Sequence, residues 1–575
     1  MKFIENEAGM SSSVRTRERH APGQATEEFD YVIVGAGSAG CVLANRLTED
    51  PDVRVAVLEA GGSDTSVLIR MPAAFSLPLA NDRYNWYYHT EPEPSMDGRR
   101  MYCPRGRVLG GSSSINGMVY IRGHAFDYDG WAQRPGLEHW SYAHCLPYFI
   151  RSENRLQGPD DYHGAAGPLA VTTPSMRNPL FHAFIEAAQQ AGYAYTADMN
   201  GYRQEGFGPM DRTTLRGRRC SAMRAYLAPV MERPNLRVLR RSLVLRVVFD
   251  GRRAVGVEYA HSGTVRLARA RREVIVSGGA INSPQLLMLS GVGEADALRR
   301  LGLPVVADLP GVGRNLQDHI EIYVQHACTQ PVSLYPTQRP LAKLGIGLRW
   351  LLTGSGAGAS NHFEAGGFIR SRAGVRHPDL QYHFLPIAAD YDGKHKIEQH
   401  GFQLHVGPMR PTSSGTVQLR SSDPRQQPAI QFNYLQTEGD RTEMRAAVRL
   451  TREILAQRAF NPFRGAELQP GSEVVTDAQI DAFARARAES AYHPSCTCAM
   501  GSDSQAVVDG ELRVHGVEAL RVVDASVMPA VVSGNLNAPT IMIAEKAADL
   551  IRGRPPLEPM HVPVFEHPDY RTAQR

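Results

Sequence analysis

The sequence FDYVIVGAGSAG occupies residues 29–40 and runs from an apolar stretch into a glycine-rich turn. The apolar part is typical of a short buried strand, and the Ala-, Leu- and Val-rich residues 38–48 predict the helix that follows. A second apolar stretch, residues 54–59, predicts another strand. Strand, turn, helix and strand within about 30 residues form a βαβ unit, which requires a parallel sheet covered on its faces. The predicted fold class is therefore α/β.

The glycine-rich turn has the pattern G-x-G-x-x-G between the predicted strand and helix. Gly35 permits a tight turn, Gly37 lets the backbone approach a pyrophosphate, and Gly40 allows close packing of helix and strand. The helix begins at Ser38 and Ala39, and its N-terminus would face the anion. The turn therefore predicts a dinucleotide site.

An acidic residue, Glu59, ends the second predicted strand 19 residues after Gly40. A carboxylate at this place accepts hydrogen bonds from a ribose diol and repels a 2′-phosphate, which disfavours NADP. The pattern does not distinguish FAD from NAD, because both contain the adenosine diphosphate half that it binds.

The composition is that of a large globular protein. With 575 residues, 42% hydrophobic and 21% charged, the chain is not collagenous, coiled-coil or wholly disordered, and its length predicts several domains or a few large ones. The net charge of +4 is spread along the chain. Because nucleic-acid binding needs a concentrated basic surface, nucleic acid is not an expected partner.

Seven cysteines, an odd and small number for this length, argue against a disulfide framework and favour a reducing compartment such as the cytoplasm. Cys496 and Cys498 have C-x-C spacing, but no second Cys or His pair lies at zinc spacing, so we predict no metal. No run of 18 apolar residues is present, so we expect no transmembrane segment, and any membrane contact would be peripheral.

Four further segments resemble the glucose-methanol-choline (GMC) family of FAD-dependent oxidoreductases. They are residues 105–117, 278–287, 311–319 and 493–551. The resemblance implies that the cofactor is FAD. In some family members a histidine just before the position of Asn116 bonds covalently to the flavin, but here that residue is Ile115, which has no nucleophilic atom. We therefore predict that FAD is held without a covalent bond.

The resemblance and shifts in composition imply a Rossmann-like FAD-binding domain and a substrate-binding domain built on a mainly antiparallel sheet. Alternating stretches at residues 380–385 and 416–419 are typical of half-buried antiparallel strands. The predicted division is a disordered tail at 1–28, an FAD-binding domain at 29–175, 215–325 and 492–555, a substrate-binding domain at 176–214 and 326–491, and a C-terminal tail at 556–575.

Within the family, the sequence most closely resembles choline-oxidising members from bacteria. The supporting stretches are residues 83–86, 331–336, 360–368 and 490–498. The resemblance implies oxidation of choline to betaine aldehyde, and of the aldehyde hydrate to glycine betaine. Electrons would then pass to an acceptor, for which the sequence leaves a membrane quinone, another carrier and oxygen open.

Oxidation of an alcohol needs a base beside the flavin, and imidazole suits that role near neutral pH. The resemblance assigns His493 as this base or as the stabiliser of the alkoxide, with Asn537 bonding the substrate oxygen and Asn535 as its lower-ranked competitor. A quaternary ammonium donates no hydrogen bond, so aromatic faces and a carboxylate must recognise it. By the same resemblance, Glu364 and Tyr492 are the predicted substrate-binding residues.

The predicted cofactor contacts combine glycines, whose bare main chain can approach the ligand, with a few polar side chains. They are Gly35, Gly37, Ser38, Ala39, Gly40 and Glu59 at the adenosine diphosphate half, and Gly110, Gly111 and Asn116 toward the flavin. The family resemblance adds Asp524 to this set. Two alternatives stay open. A dehydrogenase of uncharged primary alcohols would have no use for a buried glutamate, and a family lyase or photoenzyme would not perform net alcohol oxidation.

Overall fold

The computed structural model describes residues 27–389 and 397–575, and within them two seven-stranded sheets carry the fold. In chain order the strands of these sheets are β1 (Glu27–Val34), β2 (Val55–Glu59), β3 (Gly206–Pro209), β4 (Leu236–Arg240), β5 (Ser242–Asp250), β6 (Arg253–His261), β7 (Thr264–Val276), β8 (Ile320–Cys328), β9 (Ala365–Ile369), β10 (Leu380–Leu385), β11 (Gly401–Pro408), β12 (Arg464–Gln469), β13 (Glu489–Ser490) and β14 (Leu520–Val522). The longer helices are α1 (Ser38–Leu47), α2 (Ala125–Ala132), α3 (Tyr142–Ser152), α4 (Pro179–Gln190), α5 (Gly279–Leu289), α6 (Pro340–Thr353), α7 (Glu438–Leu455), α8 (Asp477–Arg487) and α9 (Asn537–Ile551).

The first sheet has the order β4-β2-β1-β7-β6-β5, with β14 also paired to β7. Strands β4, β2, β1, β7 and β14 run parallel, whereas β5 and β6 continue the sheet as antiparallel strands. Residues Val55 to Glu59 of β2 are all buried, as expected for a parallel strand covered on both faces. The predicted α/β class is confirmed.

The predicted βαβ unit is present with small differences at its ends. Strand β1 ends at Val34, helix α1 begins at Ser38 and ends at Leu47, and β2 ends at Glu59. The carboxyl ends of β1 and β2 lie at one edge of the parallel sheet, where doubly wound folds bind their ligands.

The second sheet has the order β12-β8-β11-β10-β9-β3, with β13 beside β8, and all of its pairings are antiparallel. We expected half-buried strands here, but every residue of β10 is buried. The reason is that α7 packs on the neighbouring strand β11, whereas the other face of the sheet covers a cavity. The strand predicted at 416–419 forms at Thr416–Gln418 and pairs with Ala429–Gln431 in a separate small sheet.

Residues 1–26 of the predicted N-terminal tail lie outside the described residues, and Glu27 begins β1. The C-terminal segment, residues 556–575, contains neither helix nor strand and hydrogen-bonds across the surface. The amide of Met560 donates to the carbonyl of Ala143 at 2.9 Å, and Arg370 donates to the carbonyl of Ala573 at 2.7 Å. The predicted domain division stays a prediction.

None of the helices in the two described ranges has the length and apolar character needed to cross a membrane.

Candidate active site

A cavity of about 430 Å³ lies where the carboxyl ends of β1 and β2 meet the inner face of the second sheet. Most of the predicted site residues line it, namely Gly35, Gly37, Ser38, Ala39, Glu59, Gly111, Asn116, Tyr492, His493, Asp524 and Asn537. Gly40, Gly110 and Glu364 are not in its wall. The fold thus brings residues from both ends of the chain to one chamber.

The dinucleotide turn has the backbone that its glycines predict. Gly35 has a φ of 102°, and a Cβ on it would lie 2.5 Å from the carbonyl oxygen of Ser277. A Cβ on Gly40 would lie 1.9 Å from the Gly35 oxygen, and one on Gly111 would lie 2.7 Å from Cα of Gly37. Only glycine fits at these positions without movement of the backbone. Gly40 does not line the cavity, and its role is to let α1 pack closely against the turn.

The N-terminus of α1 opens into the same part of the cavity. Its N-cap residue is Gly37, and no side chain caps the first turn. The first N–H groups of the ten-residue helix therefore have no side-chain acceptor, and the helix dipole favours an anion there. A pyrophosphate fits this donor set, as the sequence pattern predicts.

Glu59 supplies an acceptor at the end of β2. Its carboxylate accepts the Ala36 amide at 3.0 Å and the Gly61 amide at 2.7 Å. Burial raises the pKa of Glu59 to about 7, against the lowering effect of these two amides and of Arg107. A carboxylate has about four acceptor positions, so the side chain can still accept hydrogen bonds from a ribose diol. The adenosine diphosphate half of FAD therefore fits the residues present.

Gly40→Ala is expected to weaken FAD binding by at least about tenfold, or 1.4 kcal/mol, because the new methyl group would displace the Gly35 carbonyl and deform the turn. The measurement is the flavin-to-protein absorbance ratio of the purified variant, followed by titration with FAD. Gly62→Ala is the matched control, since a Cβ there meets no atom within 4 Å. Equal FAD affinity for the two variants would contradict the role of Gly40.

A second glycine turn faces the first. Gly110 and Gly111 have φ values of 90° and 52°, and the amide of Gly110 donates to the carbonyl of Ala36 at 2.7 Å. The amide oxygen of Asn116 accepts from Arg219 at 2.7 Å, which fixes the chain that follows. Ile115 lines the cavity and offers no atom for a covalent bond to flavin.

Asp524 joins the turn after β14 to the start of α5. One carboxylate oxygen accepts the Gly279 amide at 2.8 Å and the Ser283 hydroxyl at 2.6 Å. The other oxygen accepts the Ser526 amide at 2.8 Å. These contacts hold the cavity wall in shape, and direct contact of Asp524 with the cofactor stays a prediction.

His493 lies in the cavity wall between two hydrogen-bonding neighbours. Nε2 of His319 is 3.0 Å from the carbonyl oxygen of Met409, which can only accept, so this nitrogen carries the proton. Burial lowers the pKa of His319 to about 4, which makes the ring neutral and its Nδ1 an acceptor. That Nδ1 is 3.0 Å from Nδ1 of His493. His493 therefore donates through Nδ1 and keeps a lone pair on Nε2.

The neighbours of His493 lower its pKa and fix its position. Burial, together with His319, His383 and Arg105, holds the pKa of His493 well below its ordinary value. Its backbone amide donates to Asp318 at 2.6 Å. The ring is therefore a neutral, fixed proton acceptor.

Tyr492, the predicted neighbour of the substrate cation, lies beside His493 in the cavity wall. Its φ of 65° places it in the left-handed region, which is uncommon for a bulky residue. Arg105 donates to the Tyr492 carbonyl at 2.7 Å, and Ser490 accepts its amide at 2.8 Å. The strained backbone is thus held in place by specific contacts.

The structure places Asn535, rather than Asn537, against the imidazole. The amide nitrogen of Asn535 is 3.0 Å from Nε2 of His493, and its oxygen accepts from Gln381 at 3.0 Å. Asn537 instead accepts the Ser38 hydroxyl at 2.8 Å. The expected pairing of Asn537 with His493 is therefore corrected: α9 begins at Asn537, and that turn directs its side chain toward the start of α1.

Glu364 is likewise not where we expected it. Its carboxylate accepts the Ser360 hydroxyl at 2.5 Å and the Met176 amide at 2.9 Å, and it lies 3.4 Å from Arg212. These protein partners hold it outside the cavity wall. Its neighbour Phe363 does line the cavity. Consecutive residues in extended chain point to opposite sides, which explains the difference.

Glu321 is the carboxylate that faces the cavity from the second sheet. It lies 3.0 Å from Nδ1 of His405. Burial acts to raise the pKa of Glu321, but His405 and His383 outweigh it, so the pKa lies below its ordinary value. The Phe363 ring packs edge-on against both histidines, at centroid distances of 5.7 and 5.9 Å. This wall combines negative charge with an aromatic face.

The sequence holds a signal for Glu321 that becomes readable once the place of His319 is known. Glu321 is the second residue of β8 and follows His319, which directly precedes the strand, by two positions. Residues two apart share one face of extended chain. Once His319 is placed beside His493, Glu321 and Tyr323 must face the same cavity.

Matches to family models and to known proteins point to the same family. Two GMC oxidoreductase models match residues 29–321 and 411–544. The chain is 60% identical to mitochondrial choline dehydrogenase of Mus musculus over 96% of this chain and 93% of that protein. It is also 60% identical to the oxygen-dependent choline dehydrogenase of Pseudomonas putida, over 92% of this chain and 95% of that protein.

Solved structures show the same fold. Pyridoxine 4-oxidase from Mesorbium loti superposes with a TM-score of 0.83 at 32% identity, covering 92% of this chain and 100% of that one. Formate oxidase from Aspergillus oryzae has a TM-score of 0.87 at 26% identity, covering 92% and 99%. The matched models cover both the dinucleotide turns and the histidine that faces the cavity. The chain belongs to the GMC oxidoreductase family and is an FAD-dependent oxidoreductase.

Proposed function

We propose that this protein oxidises choline to betaine aldehyde and the hydrate of betaine aldehyde to glycine betaine. The observation that carries the proposal is one cavity that holds both a neutral histidine base, His493, and a carboxylate beside an aromatic ring, Glu321 with Phe363. The relatives named for choline in Mus musculus and Pseudomonas putida support it.

The trimethylammonium group would bind at the wall formed by Glu321, Phe363 and Tyr492. Such a cation needs charge compensation and aromatic faces, since it has no proton to donate. The lowered pKa of Glu321 keeps the carboxylate ionised at neutral pH. We therefore assign the cation to Glu321, and Glu364 serves to join its loop to Met176 and Arg212.

The hydroxyl end of the substrate would face His493 and Asn535. The substrate hydroxyl would replace the Asn535 amide at Nε2 of His493, and Nε2 would take the hydroxyl proton. The freed amide of Asn535 would donate to the substrate oxygen as its charge increases. Bound FAD supplies the two-electron acceptor for the hydride that leaves the carbon atom. The imidazolium that forms would stabilise the alkoxide, so His493 acts as base first and as electrostatic partner afterwards.

The direct experiment adds choline to the purified flavoprotein without oxygen and follows the flavin absorbance band. We expect rapid bleaching by choline, and slow or no bleaching by hexanol or glycerol, because neither alcohol uses the charge of Glu321. Bleaching by hexanol alone would favour a dehydrogenase of uncharged alcohols. No bleaching by any alcohol would overturn the proposal and favour a lyase or photoenzyme.

Admitting oxygen after bleaching tests the electron acceptor. The relatives from Pseudomonas are named as oxygen-dependent, which supports oxygen as the acceptor for this chain as well. Return of the flavin band with oxygen alone would agree, whereas return only with an added quinone would indicate a membrane acceptor. We propose a cytoplasmic location on the basis of the cysteine content, with FAD bound non-covalently.

A further inference from the structure

Helix α6 (Pro340–Thr353) carries its apolar side chains on the outside of the protein. The exposed fractions are 84% for Leu341 and 83% for Leu352, and Trp350 is the one buried residue of the helix. Such exposure of large apolar side chains on a regular helix is unusual in a soluble globular protein and marks a surface that contacts another apolar phase.

The exposed leucines form a single stripe. At 3.6 residues per turn, an arc of roughly 100° contains every one of them. The members of this leucine stripe are Leu341, Leu344, Leu348, Leu351 and Leu352. Trp350 lies on roughly the opposite side of the helix, so the stripe points away from the body of the protein.

The helix is fixed to the protein through its buried side. The indole nitrogen of Trp350 donates to the carbonyl of Gly217 at 2.7 Å, and the guanidinium of Arg218 lies 4.9 Å from the centre of the Trp350 ring. Pro340 occupies the first helical turn, and Gly354 ends the helix with a φ of 63°. The stripe is therefore presented by an anchored, well-defined helix.

The surroundings of the stripe are positively charged. The 42 positions between Glu321 and Glu364 include no acidic residue. The helix and its N-cap contribute Arg339, Lys343 and Arg349, and the turn under Trp350 contributes Arg216 and Arg218. Among the described residues, no carboxylate is ion-paired with any of these five cations. An apolar stripe with cations on its flanks matches the boundary between acyl chains and anionic headgroups.

We propose that the leucine stripe of α6 docks this protein on the surface of an anionic lipid bilayer, with the leucines among the acyl chains. Lys343 and Arg349 are exposed and lie beyond the two edges of the stripe, toward the side of Trp350. Their long side chains would reach back to the headgroups. A second copy of the chain fits less well. A twofold interface through α6 would bring the cations of the two copies together along one contact surface, and like charges at close range repel.

The test measures co-sedimentation of the FAD-loaded protein with vesicles. One vesicle type contains phosphatidylcholine and phosphatidylglycerol, and the other contains phosphatidylcholine alone. We expect binding to the anionic vesicles that weakens as salt is raised. The triple variant Leu341→Ser, Leu348→Ser, Leu352→Ser should bind at least about tenfold more weakly.

The matched control is the triple variant Leu156→Ser, Val265→Ser, Val475→Ser, which removes three exposed apolar side chains from other parts of the surface. It should bind vesicles as the unchanged protein does. Choline turnover in solution should be the same for all three proteins, which separates this inference from the proposed function.

Absence of vesicle binding by the unchanged protein, or equal loss in both triple variants, would overturn the proposal. It would also be overturned if the α6 variant changed only the oligomeric state measured by light scattering, since that result would assign the stripe to a second copy of the chain.

Discussion

His493→Ala is expected to lower kcat for choline roughly a thousandfold, because no other described group holds a neutral imidazole nitrogen at the same point of the cavity. FAD should stay bound, since the dinucleotide turns do not depend on this side chain. Stopped-flow measurement of flavin bleaching checks the chemical step, and the flavin absorbance of the purified variant checks the cofactor.

Two asparagine variants make this expectation sharper. Asn535→Ala should also slow bleaching, by roughly a hundredfold, because the amide that faces Nε2 of His493 is removed. Asn537→Ala should leave the chemical step nearly unchanged, since its side chain bonds Ser38. If His493→Ala bleached at a near-normal rate, or if Asn537→Ala were the slower asparagine variant, the assigned base and its partner would be wrong.

Glu321→Gln is expected to raise KM for choline by roughly thirtyfold, or about 2 kcal/mol, because a desolvated cation would lose its opposite charge. The readout that isolates this effect is the ratio of kcat/KM for choline to that for 3,3-dimethylbutan-1-ol, an uncharged alcohol of similar shape. The ratio should fall in the variant, while oxidation of the neutral alcohol changes little.

Glu364→Gln is the matched control for Glu321→Gln. Both carboxylates are largely buried and both contact a basic side chain, but only Glu321 lines the cavity. We expect Glu364→Gln to reduce thermal stability, through the weakened contact with Arg212, and to leave the choline ratio unchanged. A choline-specific rise in KM for Glu364→Gln alone would contradict our assignment.

Local sequence patterns were sufficient to predict the dinucleotide-binding part of the site. The βαβ unit depends on residues 29–59, in which strand, turn and acid are close in sequence, and its predicted elements are present with ends shifted by one or two residues. Gly35 has the positive φ and Gly40 the close contact that their pattern predicts.

The catalytic and substrate-binding part of the site depends on contacts between residues that are far apart in the sequence. Asn535 and Asn537 stand two residues apart at the start of a helix, and only the first helical turn decides which side chain meets His493. Glu321 lies in β8, and Glu364 directly precedes β9 of the same sheet. The alternation of side chains in extended chain decides which carboxylate faces inward. A strand register is needed for that decision, and the sequence alone does not contain it.

The C-terminal segment has a consequence for how the protein unfolds. Met560 is hydrogen-bonded to α3, beside the first sheet. Ala573 is hydrogen-bonded to Arg370, which directly follows β9 of the second sheet. The last residue, Arg575, forms an ion pair with Glu453 of α7. One short strap therefore crosses both halves of the molecule. Because the two sheets cannot separate without breaking these contacts, the strap makes the unfolding of the two sheets more cooperative.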